Sequence, residues 1–501
     1  MNKPFYITTT LPYVNAEPHI GFAMEAVRAD VIARAKRALG YHVLFNTGTD
    51  EHGSKLYEGA IKENMTPQAY VDKYAKRFKD FHTIANISYD RFIRTTDEKH
   101  ILAAQKMWQK CFDNGDIYKK NYKTKYCIGC ELEKTDSELV DGKCIDHPTK
   151  EIEERDEENY FFKFSNYGDR LVALYKNDLV IPPTRQNEVS SFVKNGLQDF
   201  SISRLRAKMP WGVDVPGDSE HVMYVWFDAL TSYISTLDWG ILEEENENKL
   251  SNDFEKYWLQ DYTLENKEVR TREVVQYCGK DNNRQQSAMW QAMLMSAGIP
   301  NSTNIIINGF IQSGGQKMSK STGNVISPFE VIEYFKSFTD YPEDVLRFVL
   351  LHDVSSFEDS DVTMESIRQS YTANLSNGIG NLTSRIMKMA VTNLDNNFTV
   401  RDFDIPKEYL QHISNYDLKK ALEFIMSEVT SIDKFIQDTE PFKVIKVDAE
   451  KGRLLISEMR TRLYNIATLL KPFTPRTSVA IMDCITSHKL PENPIFNRLV
   501  Y

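Results

Sequence analysis

Cysteine is scarce in this chain, with six in 501 residues. That is too few for a disulfide-built scaffold. Three of the six stand together at 127, 130 and 144, which points to a reducing compartment and a metal site. Long apolar runs are also missing, and none approaches the ~20 residues of a bilayer-spanning helix. The opening stretch MNKPFYITTTLPYV has neither the apolar region nor the small-residue cleavage site of a secretory signal, so a cytoplasmic protein away from membranes is expected. Nor is there a surplus of positive charge. The 61 basic residues against 71 acidic ones leave a net charge of −10, which excludes a chain coated in basic residues but not a local basic face for nucleic acid. Internal repeats are absent. The acidic run EEENENK at 243–249 reads as a solvated loop.

What is present is ordinary globular composition, 41% hydrophobic and 26% charged, long enough for two to four cores. KPFYITTTLPYV reads as a buried strand bounded by Pro12. AMEAVRADVIARAKRALG follows with apolar positions at helical spacing and Gly40 as its stop, and YHVLFNTGTD reads as a second buried strand. Strand, helix and strand in this order predict a parallel, doubly wound sheet with ligands at the carboxyl ends of its strands. The pattern is interrupted from about Asn114 to Trp211 by short strands and many charges, and resumes at HVMYVWFDALTSYI, REVVQYCGKD and STNIIINGFIQ. Beyond about Asp361 only helical periodicity remains, which predicts an all-α bundle.

Four stretches carry chemistry. Cys127-Ile-Gly-Cys130 and Cys144-Ile-Asp-His147 supply three thiolates and an imidazole at Cys-x2-ligand spacing, a set that suits tetrahedral zinc with no open position. Cys111, Cys278 and Cys484 lack such partners and read as small buried hydrophobes. GGQKMSKSTGN at 314–324 is glycine-rich and brackets Met318-Ser319 between Lys317 and Lys320. It reads either as a mobile loop that neutralises a polyphosphate or as a solvated loop, and its place after a buried strand favours the first. PHIGFAMEAVRAD at 18–30 puts His19 and Gly21 at a helix entry whose free N–H groups attract phosphate, although His19 alone could be only a cap. TGTDEHG at 47–53 ends a strand with Asp50, either a partner for an ammonium group or a helix-capping turn.

Together these stretches resemble class I aminoacyl-tRNA synthetases, most closely the methionyl-tRNA synthetase family. The match rests on LPYVNAEPHIG, GTDEHG, YVWFDAL, GKD, KMSKS at 317–321 and NLTSR, in order from residue 3 to at least 390. The resemblance implies a Rossmann-type α/β catalytic domain in two parts, 1–115 and 212–325, split by a connective insert with a zinc knuckle at 116–211. A stem-contact linker at 326–365 and a helical anticodon-binding domain at 366–501 would follow. It further implies ATP, L-methionine and tRNA(Met) as partners, Mg²⁺ with the ATP, one structural Zn²⁺ per chain, and a monomer.

Residue by residue, the family pattern assigns His19, Lys317 and Lys320 to the phosphates as the catalytic groups, with Tyr13, Gly21, Gly279 and Asp281 also on the ATP. Leu11, Tyr13, Asp50, Trp226, Ala229, Tyr233 and Gln286 fall on the methionine site. Asn381, Arg385 and Phe442 fall on the anticodon, where Phe442 replaces a common tryptophan and can still stack on an unpaired base. Phe22 and Gln286 stand where the family usually has histidines, and Asn282 where an apolar residue is usual. Losing one charge-stabilising donor costs about 2.7–4 kcal/mol in transition-state terms. The other readings are a different class I enzyme (cysteinyl, leucyl, isoleucyl or valyl) and a weakly active or non-catalytic tRNA-binding paralogue. The ~100-residue insert is too short for the editing domain that the leucyl, isoleucyl and valyl enzymes require.

Overall fold

The structure is a computed structural model that describes residues 3–130, 132–134, 139–241, 252–263, 269–317, 325–400 and 403–499. Its centre is a six-stranded sheet formed by β1 (Lys3–Thr9), β2 (Tyr41–Thr49), β3 (Arg91–Arg94), β4 (Val180–Ile181), β5 (Glu273–Gly279) and β6 (Asn304–Asn308). The spatial order is β3-β2-β1-β5-β6-β4, and every pairing is parallel. Chain order reverses between β1 and β5, the crevice where doubly wound sheets bind ligands.

β1 is shorter than KPFYITTTLPYV suggests. It ends at Thr9, because the segment through Pro12 turns to lie against the end of β2, with the Asp50 N–H donating to Pro12 O at 3.0 Å and the Val14 N–H to Asp50 O at 3.3 Å. Helix α1 (Ile20–Ala38) buries most of its residues because the sheet and the helix Pro342–His352 both pack against it. Gly40 follows at φ 81°, the left-handed stop expected of it.

The stretch HVMYVWFDALTSYI is not a strand of this sheet. Asp218–Met223 pairs antiparallel with Ser203–Leu205, and a short helix then runs over Val225–Leu230. The β-branched run therefore closes the inserted region, and the aromatic run beyond it becomes helix. The insert is built on a long antiparallel pair, Ile117–Cys127 with Ile152–Phe162. It also hands Val180–Ile181 to the edge of the central sheet.

Two buried arginines fasten the following helices to α1. Arg28 donates to the carbonyls of Leu350, Val354, Ser355 and Ser356 at 2.8–3.2 Å. Arg347, on the helix Pro342–His352, pairs with Asp30 at 2.7 Å and donates to Phe473 O at 2.7 Å and Pro472 O at 3.0 Å. Burial alone would raise the Asp30 carboxyl, but Arg347 and Arg34 bring it below its ordinary value. Guanidinium groups whose terminal nitrogens are directed at carbonyls or a carboxylate are the form in which buried charge is tolerated. From Met364 to Thr486 the described residues are helical between turns.

Candidate active site and metal centre

A cleft of about 440 Å³ opens at the carboxyl ends of β1, β2 and β5. Its lining brings together residues that lie far apart in sequence. Leu11, Tyr13, His19 and Gly21 come from the β1–α1 connection, and Asp50 from the end of β2. Trp226, Ala229 and Tyr233 come from the helical stretch after the insert, and Gly279, Asp281 and Gln286 from beyond β5.

Local backbone pairing explains part of this. Tyr13 and Asp50 form a parallel bridge, so the aromatic ring and the carboxylate are neighbours by construction. Asp50 is only 6% exposed. Gly53 sits close by at φ 115°, and a Cβ there would meet the Tyr13 hydroxyl at 2.4 Å, so glycine is required for the backbone and for the contact.

His19 proves to be both a cap and a cleft residue. Its Nδ1 accepts from Gly21 N at 3.1 Å and Phe22 N at 3.4 Å, closing the N-terminus of α1. Accepting at Nδ1 puts the proton of the neutral ring on Nε2, leaving that nitrogen as a donor at the cleft. Phe22 packs edge-on against Phe78, Phe81 and His82 at ring separations of 4.8, 5.6 and 5.5 Å. His82 is fully buried and its pKa is pushed down to about 4 by that burial, so Phe22 borders neutral, aromatic surroundings.

Gln286 lies in a π-helical turn, Gln285–Met289, a wider turn that often marks functional sites. Its amide donates to the Tyr233 hydroxyl, and its oxygen accepts from Gln276 Nε2 at 3.2 Å. Ser302 donates in turn to Gln276 at 2.8 Å. Burial holds the Tyr233 phenol well above its ordinary value. It therefore stays an O–H whose oxygen is already occupied by Gln286 and whose proton is free to be directed elsewhere.

Glu25 is a cleft residue that sequence reasoning missed. It accepts from the backbone N–H of Thr10 at 2.8 Å and from the Thr10 hydroxyl. Burial, reinforced by the Asp281 charge, pushes its carboxyl up to about 8 despite those bonds. The available signal was an acid inside a helix whose neighbours Ala23, Met24, Ala26 and Val27 are all apolar.

Cys127, Cys130, Cys144 and His147 present ligand atoms within 4.8 Å of one another. Cys130 Sγ lies 3.3 Å from Cys144 Sγ and 3.2 Å from His147 Nδ1, near the ~3.8 Å edge of a tetrahedron drawn with 2.3 Å zinc–sulfur bonds. The cysteines are free, and this four-ligand cluster could hold a metal ion. A Cβ on Gly129 would meet the His147 ring at 2.4 Å, so the knuckle turn closes only with glycine. The knuckle is not remote from the cleft. Cys130 lies on its lining, and Lys55 donates to Gly129 O at 3.0 Å.

Lys317 pairs through its backbone with Gln312, while Met318, Ser319 and Lys320 lie outside the described residues, as does the acidic run at 243–249. Arg385 holds Asp433 at 2.6 Å one helical turn from the exposed Asn381. Phe442, 45% exposed, follows the helix Leu418–Thr439 that carries Asp433. No described helix is long and apolar enough to cross a membrane.

The fold and this clustering at its switch point define a class I aminoacyl-tRNA synthetase. A sequence model of the family described as tRNA synthetases class I (M) matches residues 5–152 and 129–387. Within that class the chain belongs to the methionyl-tRNA synthetase family. It is 36% identical to the methionine–tRNA ligase of Caldanaerobacter subterraneus subsp. tengcongensis, over 95% of this chain and 73% of that protein. It is 37% identical to that of Thermosynechococcus vestitus, over 96% of this chain and 90% of that one. The structure is similar to Mycobacterium tuberculosis methionyl-tRNA synthetase in complex with methionyl-adenylate, with a TM-score of 0.85, 32% identity and 99% of each chain covered.

Proposed function

We propose that this cleft activates L-methionine with ATP and passes the methionyl group to tRNA(Met). The observation that carries the reading is the convergence of His19, Asp50, Trp226, Tyr233 and Asp281 on one cleft at the switch point of the sheet. In the first step a carboxylate oxygen of methionine bonds to the α-phosphorus of ATP while the bond from that phosphorus to the bridging oxygen breaks, releasing pyrophosphate. In the second, a ribose hydroxyl at the tRNA 3′ end attacks the carbonyl carbon and AMP leaves.

No side chain needs to form a covalent bond, so the work is orientation and charge neutralisation. Asp50 takes the α-ammonium. Trp226, Tyr13 and Tyr233 enclose the thioether, a contact that suits polarisable sulfur, with the Tyr233 proton aimed by Gln286. His19 offers Nε2–H to a phosphate oxygen beside the N-terminus of α1. Gly279 and Asp281 meet the ribose, and Lys317 and Lys320 meet the phosphates, with Mg²⁺ arriving on the ATP. Cys127, Cys130, Cys144 and His147 would hold a structural Zn²⁺, which fixes the knuckle and leaves no position for substrate. Asn381, Arg385 and Phe442 read the anticodon, Phe442 by stacking.

A different class I specificity is disfavoured by the polar-tipped aromatic pocket, and a binding-only role by the intact Asp50 and His19. The test is active-site titration. Mixed with ATP, methionine and pyrophosphatase, the protein is expected to retain about one equivalent of methionyl-adenylate per chain on gel filtration. Retention of none would overturn the proposal.

A further inference from the structure

Next to the cleft, but outside its lining, two imidazoles meet one carboxylate. Asp228 has no exposed surface and His100 none, and His52 is 4% exposed. His52 Nδ1 lies 2.6 Å from Asp228 Oδ2, and His100 Nε2 lies 2.7 Å from Oδ1. Burial alone would raise the Asp228 carboxyl, yet its two imidazole partners bring it down to about 2. An ionised carboxylate has only lone pairs to offer, so both facing nitrogens carry protons. The far nitrogen of His100 meets Ser235 Oγ at 2.9 Å, and the Ser235 hydroxyl in turn faces Ser232 O at 3.4 Å. The His52 ring lies against Trp211 at 5.5 Å, and Trp211 Nε1 donates to Glu51 O at 2.6 Å.

The three groups come from three pieces of chain. His52 follows β2 two residues after Asp50. His100 belongs to the helix Glu98–Asp113. Asp228 belongs to Val225–Leu230, which also carries Trp226 and Ala229. That helix has six residues and no side-chain cap, so its placement depends on what anchors it. We infer that Asp228 is a positioning residue for methionine recognition, a clamp that acts through His52 to hold the loop bearing Asp50 against the helix bearing Trp226 and Ala229. The inference rests on reading this cleft as the methionine site. Tyr13, assigned to both substrates, is bridged to Asp50, but His19, Gly279 and Asp281, also assigned to ATP, stand on other elements and are not tied to this clamp, so the two substrates separate its effect from general damage.

The test compares His52→Leu, which fills the space but donates nothing, with His52→Asn, whose amide nitrogen occupies the place of Nδ1. Losing a hydrogen bond to a charged group corresponds to ~10–100-fold. In methionine-dependent ATP–pyrophosphate exchange, His52→Leu is expected to raise the methionine KM by at least ~10-fold, with the ATP KM within ~2-fold of the parent. His52→Asn is expected to restore the methionine KM to within ~2-fold of the parent. An unchanged methionine KM in His52→Leu, an equal rise for both substrates, or no rescue by His52→Asn would each overturn the clamp. If His52→Leu fails to fold, Asp228→Asn replaces it. Its amide can accept from His52 and donate to His100 with the His100 proton on Nδ1, facing Ser235 Oγ, so packing survives. It is expected to raise the methionine KM by several-fold, and an unchanged value overturns the inference. Failure of the methionine-site reading looks different, since the parent protein itself would then show no methionine-dependent exchange.

Discussion

Glu25 occupies a position where a carboxylate is costly, wedged between the Thr10 donors and the nearby charge of Asp281. With its folded-state pKa raised to about 8 from an ordinary 4.5, the folded protein holds a proton there that the unfolded chain releases. Stability from this group is therefore fully present below about pH 4.5 and declines as pH rises toward 8. Glu25→Gln, which mimics the protonated form, is predicted to flatten the fall in Tm between pH 5 and 8. Parallel Tm–pH curves for parent and variant would contradict this assignment. The same scale explains why Phe22 is accommodated. An aromatic ring at that site joins Phe78 and Phe81, whereas an imidazole would need a polar partner in the same space. Nothing in the sequence near residue 22 announces those partners, which come from a helix more than fifty residues away.

At the scale of elements, the knuckle depends on how closely its turn can approach a ring. A Cβ at residue 129 would stand 2.4 Å from the His147 ring, so Gly129→Ala must displace one member of the proposed zinc set. The variant is predicted to carry well under one equivalent of zinc after dialysis, by atomic emission, while keeping its helical circular dichroism. A full equivalent would contradict the assignment. The clustering of these four residues was legible because Cys-x2-Cys and Cys-x2-His spacing is a local signal. The approach of Cys130 and Lys55 to the cleft was not, since it depends on how a long antiparallel pair leans over the sheet. The misreading of HVMYVW has the same origin. A β-branched, aromatic run declares extended backbone but not which sheet receives it, and here the receiving strand was Ser203–Leu205.

Across the whole molecule, the alternation of strand, helix and strand was enough to predict the parallel sheet, and the change of periodicity after Asp361 enough to predict the helical end. Long-range anchors were not visible in this way. Arg28 and Arg347 tie α1 to the helix Pro342–His352 and the turn after it and, through Phe473, to the C-terminal helices, contacts that no local pattern announces. The cleft residues were recovered through motifs, while the Asp228 cluster joins three distant segments that no motif connects. The central claim is that this assembled cleft selects methionine. The most direct measurement is ATP–pyrophosphate exchange by the purified chain with each of the standard amino acids in turn. The account predicts exchange with methionine and little above background with the others. Stronger exchange with any other amino acid, or none with methionine, would contradict it.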